Sequence, residues 1–199
     1  MTETTDSAND RGFTLIELLV YGALSVLVLG LVGGFLINSL LAERSVRQTT
    51  ESSNSGQVAA QSIARGVRDA LYLDEAAGGA LLRAVIVDDA LAASPTVTCR
   101  AWYVTNGEVR TTSSNDPISV PSGPADVAGW TLVATGASPV GTAPVFDVVD
   151  DYSVDVKFQI DPANGASILV ETTARSRQLD PIALDVTPLR ETVEATECF

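Results

Sequence analysis

A run of 25 residues without a charged side chain, residues 18–42, is the feature that most constrains this sequence. A helix rises about 1.5 Å per residue, so this run is long enough as a helix to cross a hydrocarbon core of roughly 30 Å. We therefore predict a transmembrane helix near the N-terminus. One carboxylate, Glu17, stands directly before the run. It either marks the end of the span at the membrane interface, where a charge costs little, or has a function within the helix.

The charge balance limits what the rest of the chain can bind or catalyse. The 199 residues include 25 acidic and 12 basic side chains, for a net charge of −13, and no stretch concentrates Lys or Arg. We therefore predict no direct binding of nucleic acid, which needs clustered positive charge. Histidine is absent, which removes the commonest general base and most transition-metal ligand sets. We predict no catalytic residue, no metal site and no cofactor.

Two cysteines, Cys99 and Cys198, both lie beyond the predicted span. An even pair in an exported domain more often forms a disulfide than two free thiols. We predict that Cys99 and Cys198 are bonded, which ties the last residues of the chain to its middle.

The segment before the span differs from a secretory signal peptide. No small-residue cleavage site follows the apolar run, and the hydrophilic leader precedes it instead. The leader has one basic residue, Arg11, which by the positive-inside rule favours a cytoplasmic N-terminus.

Residues 12–20, Gly-Phe-Thr-Leu-Ile-Glu-Leu-Leu-Val, carry a family resemblance. They look like the cleavage and methylation motif of type IV prepilins and type II secretion pseudopilins. This motif has a glycine, an aromatic residue and a glutamate four positions later, at the start of a long apolar helix. The resemblance implies that a membrane aspartyl peptidase cuts between Gly12 and Phe13 and methylates the new amine of Phe13. It also implies that Glu17 acts in assembly. The leader is less basic than most leaders of the family.

The family implies a set of partners and a location. Before assembly, the helix lies in membrane lipid. Afterwards it contacts other pilins or pseudopilins through the same surface, with the help of the prepilin peptidase and an inner-membrane assembly platform. The N-terminus is expected in the cytoplasm and the head outside it, first as a single-pass plasma membrane protein and then in a cell-surface filament.

Helical spacing continues beyond the span. Apolar residues recur at every third or fourth position, at Ala60, Ile63, Val67 and Leu71. This spacing predicts an amphipathic helix that packs on a sheet. We assign residues 1–12 to a cleaved leader, 13–42 to the transmembrane and assembly helix, and 43–77 to its amphipathic continuation.

The remaining residues, 78–199, have the pattern of an antiparallel β head. Asn106-Gly107 between two β-prone runs is a strong hairpin signal, and residues 152–160 alternate apolar and polar side chains before a turn and a second hairpin strand at 167–175. Further strands are expected at 81–87 and 182–187. Residues 111–144 hold five of the nine prolines and are expected to form a flexible insertion. The predicted class is α+β and pilin-like, most similar to minor pilins and J-type pseudopilins.

Two further features of the head have competing interpretations. Asp150-Asp151 and residues 161–165 contain the oxygen ligands that Ca²⁺ prefers, but a turn rich in Asp, Asn and Gly needs no metal, and we favour the turn. Trp102 and Trp130 are either exposed adhesive side chains or core residues, and we favour the core.

Three functions are compatible with these observations. The first is a minor pilin or pseudopilin subunit of a filament. The second is a membrane-anchored extracellular binding domain that never enters a filament. The third, an exported enzyme on a membrane tether, is disfavoured by the absence of histidine and of a nucleophile motif. The sequence does not distinguish a motility or adhesion pilus from a DNA-uptake pilus or a secretion pseudopilus.

Overall fold

The computed structural model describes residues 14–88, 96–150, 152–162, 165–177 and 198–199. These ranges contain one long α-helix, α1 (Leu15–Arg68), one short 3-10 helix (Pro124–Val127) and nine β-strands. The strands are β1 (Ala70–Ala76), β2 (Leu81–Asp88), β3 (Thr96–Thr105), β4 (Glu108–Ser114), β5 (Thr131–Thr135), β6 (Ala137–Pro139), β7 (Phe146–Asp150), β8 (Ser153–Ile160) and β9 (Ile168–Arg175). The predicted class, α+β with a long apolar N-terminal helix on an antiparallel head, is confirmed.

The chain divides into two compact units, Met1–Arg44 and Ser45–Phe199, and all nine strands belong to the second. Helix α1 continues without interruption through the polar residues 43–55. Arg65 and Arg68 stand in the last turn, where cations are favoured by the helix dipole. The carbonyl of Arg68 accepts a hydrogen bond from the backbone N–H of Arg177 at 2.9 Å, which satisfies one of the terminal carbonyls.

The predicted helical continuation over 43–77 was too long. Helix α1 ends at Arg68, and residues Ala70–Ala76 form β1 instead. Leu71, expected on the helix face, is fully buried in this strand. The physical reason is long-range pairing: β1 forms an antiparallel ladder with β2, and those hydrogen bonds outweigh the helical periodicity of a single leucine.

The strands form two antiparallel sheets. Sheet A is a five-stranded meander in the order β1-β2-β3-β4-β5. In sheet B, β8 pairs with β6, β7 and β9. The predicted hairpin at Asn106-Gly107 is confirmed: β3 and β4 pair across it, and both turn residues have positive φ, 49° and 77°, as a type I′ turn requires. The predicted hairpin between residues 152–160 and 167–175 is also confirmed, as β8 and β9.

The expectation of a flexible insertion over 111–144 was largely wrong. This stretch contains the end of β4, the 3-10 helix and strands β5 and β6. Its strands are short and contain few large apolar residues, so their pairing with β4 and β8 was not visible in the sequence pattern. The predicted strand at 81–87 is present as β2, whereas the one at 182–187 lies outside the described residues.

The main core lies between the second half of α1 and both sheets. The buried helix positions are Gly56, Ala59, Ile63, Gly66 and Val67. They contact a cluster that includes Trp102, Phe146 and Phe158, all fully buried. The packed face includes Ile63 and Val67 of the predicted amphipathic set, whereas Ala60 is half-buried and Leu71 lies in β1.

A second core lies on the other face of sheet A. Successive residues of a strand point to opposite faces, so Trp102 faces the helix while Cys99, Ala101 and Tyr103 belong to the second cluster. Ile118, Val127 and Cys198 complete this cluster. The C-terminus is thus held on the side of sheet A that faces away from α1.

Candidate functional site

The structure places Glu17 in the first turn of α1, within the part of the chain that precedes the head. Gly12 and Phe13, the predicted processing residues, lie outside the described residues. The site that can be described is therefore the start of the helix, from Thr14 to Ser25, together with the apolar helix surface that follows it.

Thr14 caps the helix. Its Oγ1 accepts a hydrogen bond from the backbone N–H of Glu17 at 3.3 Å, which satisfies one of the free N–H groups at the helix start. Threonine followed three residues later by glutamate is also the sequence of a capping box, in which either glutamate or glutamine serves. The bond seen here uses the backbone N–H of Glu17, which any residue at this position would supply, so the capping role belongs to Thr14.

One turn further on, Tyr21 contacts the same carboxylate. Its hydroxyl donates a hydrogen bond to Glu17 Oε1 at 3.4 Å, a long contact between residues four apart on one helix face. Ser25 Oγ donates to the carbonyl of Tyr21 at 2.7 Å. The polar groups at this end of the apolar run thus hydrogen-bond to one another along the helix.

This arrangement leaves the Glu17 carboxylate able to take a further partner. A carboxylate has about four acceptor positions, and one long bond from a hydroxyl occupies one of them. A positively charged amine would make a stronger, charge-assisted hydrogen bond at a free position. Chemically, the site is a cation acceptor at the edge of an apolar surface, with no reactive group beside it in the described residues.

The apolar surface around Glu17 is uncovered in the isolated chain. Leu15 is 83% exposed and Phe35 80% exposed, and none of the residues in the most apolar 18-residue stretch of α1 is buried. An exposed apolar patch of this extent marks a surface that contacts a membrane or another protein. Among the described residues, α1 is the one helix long and apolar enough to cross a membrane, which is consistent with a single-pass membrane protein.

The predicted disulfide is present between Cys99 and Cys198, with 5.3 Å between their Cα atoms. Both residues are buried, Cys99 in β3 and Cys198 beside it in the second core. The backbone N–H of Ile118 donates to the carbonyl of Cys198 at 3.1 Å. Arg83, which is also buried, stacks on the terminal Phe199 ring with 4.9 Å between guanidinium carbon and ring centre. A disulfide, a backbone hydrogen bond and a cation–π contact therefore fix the last two residues.

Two acidic stretches, Asp150-Asp151 and residues 161–165, were considered above as calcium sites. The residues of these stretches that the structure describes form turns. Asp161 accepts hydrogen bonds from Ser167 Oγ at 2.5 Å and Ser138 Oγ at 2.7 Å. These two hydroxyls lower the pKa of Asp161. The hydroxyl of Ser153 and the backbone N–H of Tyr152 likewise lower the pKa of Asp150. The carboxylates thus organise the loops that join neighbouring strands, which is the role expected of a turn.

Both tryptophans contribute to cores. Trp102 is fully buried between α1 and sheet A, where its Nε1 donates to Ser62 Oγ at 3.1 Å. Trp130 is half-buried and packs against the second core. The core interpretation therefore agrees with the structure for Trp102 fully and for Trp130 in part.

The sequence prediction missed Thr14 and Tyr21, the two residues that contact Glu17. Both had a usable signal: threonine three residues before glutamate is a capping pattern, and a tyrosine four residues after it lies on the same helix face. Comparison of the chain with protein-family models, with curated protein sequences and with solved structures gives no match in any of the three.

Proposed function

We propose that this chain is a minor pilin, or pseudopilin-like, subunit of a type IV pilus or a related filament. In this proposal the chain is cleaved between Gly12 and Phe13, methylated on the Phe13 amine, and assembled through helix α1. The observation that carries the proposal is the position of Glu17. It stands four residues after the proposed new N-terminus and directly before a helix surface whose apolar side chains are exposed in the part of the chain that the structure describes.

The proposal gives the apolar surface two successive environments. Lipid covers it while the subunit is in the membrane, and neighbouring helices cover it in the filament. When subunits leave the bilayer, the Phe13 amine of one chain meets the Glu17 carboxylate of another. An unpaired charge in such a low-dielectric bundle costs several kcal/mol, so this ion pair would set the axial register between subunits.

Intact-mass measurement of the membrane form tests the processing step. A chain that begins at Phe13 and carries one added methyl group supports the proposal. A chain that begins at Met1 or Thr2 contradicts it, and would instead fit a membrane-anchored extracellular binding domain.

Substitution of Glu17 tests the assembly step. Glu17→Gln removes the charge while it keeps a side chain of the same size and the backbone N–H that bonds to Thr14. We expect Glu17→Gln and Glu17→Ala to leave membrane insertion intact, to spare cleavage largely, and to lower the ratio of sheared-filament to membrane-bound protein sharply.

The glutamine variant isolates the charge of Glu17. If the size and polarity of this side chain matter and its charge does not, Glu17→Gln will assemble like the wild type and Glu17→Ala alone will be impaired. Tyr21→Phe is a matched control because it removes one hydroxyl from the same site without changing any charge. An unchanged filament ratio in Glu17→Gln would refute the ion-pair role.

A further inference from the structure

The loop that joins β4 to β5 forms the wall of a pocket of about 440 Å³ on the head. We call it the Trp130 pocket; the lining residues used below are Thr112, Ser119, Ser122, Asp126 and Trp130. The volume lies within the range of small-molecule binding sites.

Buried side chains and two arginines hold the loop in place. Ile118 and Val127 are buried in the second core, on the side of sheet A that faces away from α1. Arg83 Nη1 donates a hydrogen bond to the carbonyl of Ile118, and Arg110 Nη1 donates to the carbonyl of Trp130, each at 3.0 Å. The wall of the pocket is therefore fixed without a ligand, which lowers the entropy cost of binding one.

The pocket combines an aromatic ring with hydrogen-bonding groups. Trp130 is half-buried, and its indole N–H has no hydrogen-bond partner in the described ranges. Asp126 is exposed, and its Oδ2 accepts a hydrogen bond from the backbone N–H of Ser122 at 2.8 Å, which leaves further acceptor positions on the carboxylate. The hydroxyls of Thr112 and Ser119 can each donate and accept.

We propose that the Trp130 pocket binds a neutral carbohydrate. A sugar ring has an apolar face of C–H groups and a rim of hydroxyls, each of which donates and accepts hydrogen bonds. An exposed part of an aromatic ring covers such an apolar face, while its N–H serves the polar rim. The Asp126 carboxylate and the pocket hydroxyls can bind the remaining hydroxyls of the sugar.

Other classes of ligand fit the pocket less well. None of the described residues that line it is basic, and the net charge of −13 repels anions. One carboxylate is too few for a metal ion, and the described residues contain no group of three His, Cys, Asp or Glu side chains that could hold one. A proline-rich peptide docks on a groove lined by several aromatic rings, whereas one aromatic residue lines this pocket in the described chain.

The inference goes beyond the proposed function and does not depend on it. The pocket is built from sheet A and the loop after β4, so no residue of α1 lines it in the described chain. A subunit that never enters a filament would bind the same sugar. Intact-mass measurement therefore decides the proposed function, and carbohydrate binding decides this inference, independently of each other.

Tryptophan fluorescence of the full-length chain measures the binding. The detergent should have a polyoxyethylene head group, since a glycoside detergent would compete for the pocket. The probes are neutral oligosaccharides of glucose, mannose, galactose and N-acetylglucosamine, with oligogalacturonate and a polyproline peptide for comparison. We expect at least one neutral oligosaccharide to shift the emission to shorter wavelength, because it displaces water from Trp130. Trp102 is fully buried and bonded to Ser62, so it contributes a constant background.

Substitutions locate the binding in the pocket. Asp126→Asn keeps an oxygen for the Ser122 N–H and removes the charge, and we expect it to weaken binding about tenfold. Trp130→Phe keeps an aromatic ring and removes the N–H, and we expect a loss of about fivefold, measured by calorimetry because the variant lacks the fluorescent reporter. Asp116→Asn is the matched control: it makes the same charge change at an exposed position of the same loop, outside the pocket lining, and should bind like the wild type.

Four results overturn the inference. The first is that no neutral oligosaccharide shifts the emission, or that oligogalacturonate or polyproline alone does so. The second is that Asp126→Asn and Trp130→Phe bind like the wild type. The third is that Asp116→Asn is as impaired as Asp126→Asn. The fourth is that acrylamide quenches neither tryptophan in the unliganded chain, which would mean that another part of the chain covers the pocket.

Discussion

Gly66→Ala is the substitution whose effect the structure determines most directly. Gly66 is buried near the end of α1, and a Cβ atom added there would overlap Cζ2 and Cη2 of the Trp102 indole. The ring cannot yield freely, because Trp102 is fully buried and its Nε1 donates to Ser62 Oγ, one turn earlier on the same helix. One methyl group therefore has to displace either the helix or the ring.

The magnitude follows from three terms. Overpacking a core by one methyl group costs about 1–3 kcal/mol. Alanine in place of glycine favours a helix by about 1 kcal/mol. Displacement of the indole loses the bond to Ser62, worth about 1 kcal/mol. The last two terms offset each other, so we expect Gly66→Ala to lower the free energy of unfolding of the head by about 1–3 kcal/mol.

Urea unfolding of the full-length chain in detergent micelles, followed by tryptophan fluorescence, measures this change. Gly34→Ala is the matched control, since it lies on the same helix and an added Cβ meets nothing within 4 Å. Trp102→Phe removes the two ring atoms that overlap, so the double variant should show a coupling energy of about 1 kcal/mol or more. A Gly66→Ala midpoint equal to or above that of the wild type, without coupling, would refute the packing argument.

Three further predictions concern the head. Replacing both Cys99 and Cys198 with Ser opens a loop of sequence separation 99 and should lower the free energy of unfolding by on the order of 4 kcal/mol, measured from urea midpoints without reductant. Because the pKa of Asp161 is lowered from 3.8, its contribution to stability is complete above that pH and is lost as the pH falls through the folded pKa. Thermal unfolding of Asp161→Asn should therefore depend less on pH below about 4 than that of the wild type. Arg83→Met removes the hydrogen bonds to Asp74 and should cost about 1–3 kcal/mol, while a melting temperature unchanged from wild type would show that those bonds add nothing.

Local signals in the sequence identified much of the fold. The apolar run predicted the helix, Asn106-Gly107 predicted a turn that only residues tolerant of positive φ can form, and alternation over residues 152–160 predicted strand β8. The disulfide followed from cysteine number and predicted export rather than from spacing. These predictions succeeded because each depends on a few neighbouring residues or on one chemical rule.

The features that the sequence did not predict depend on distant residues. The end of α1 is decided by pairing of β1 with β2, and strand β5 by pairing with β4 across the 3-10 helix. Nothing in the neighbouring sequence distinguishes Gly66 from other helix glycines, because the requirement for glycine comes from Trp102 on another element. Hydrophobic periodicity and secondary-structure propensity describe neighbouring residues. They contain no information about contacts between distant residues, which form only when the chain folds.

The bond between Cys99 and Cys198 turns half of the sequence into a covalent ring that contains β4 to β9 and β3 from Cys99 onward, and that excludes α1, β1 and β2. A protease that cuts once anywhere inside this ring leaves both fragments attached, so damage would be invisible on a gel run without reductant. The ring also limits how far the chain can be extended when tension is applied between the helix and the ring. Only β1, β2 and the chain up to Cys99 can be drawn out, since the ring cannot lengthen past its closing bond. A pulling experiment should therefore show a contour-length gain that ends at Cys99 and increases only after reduction.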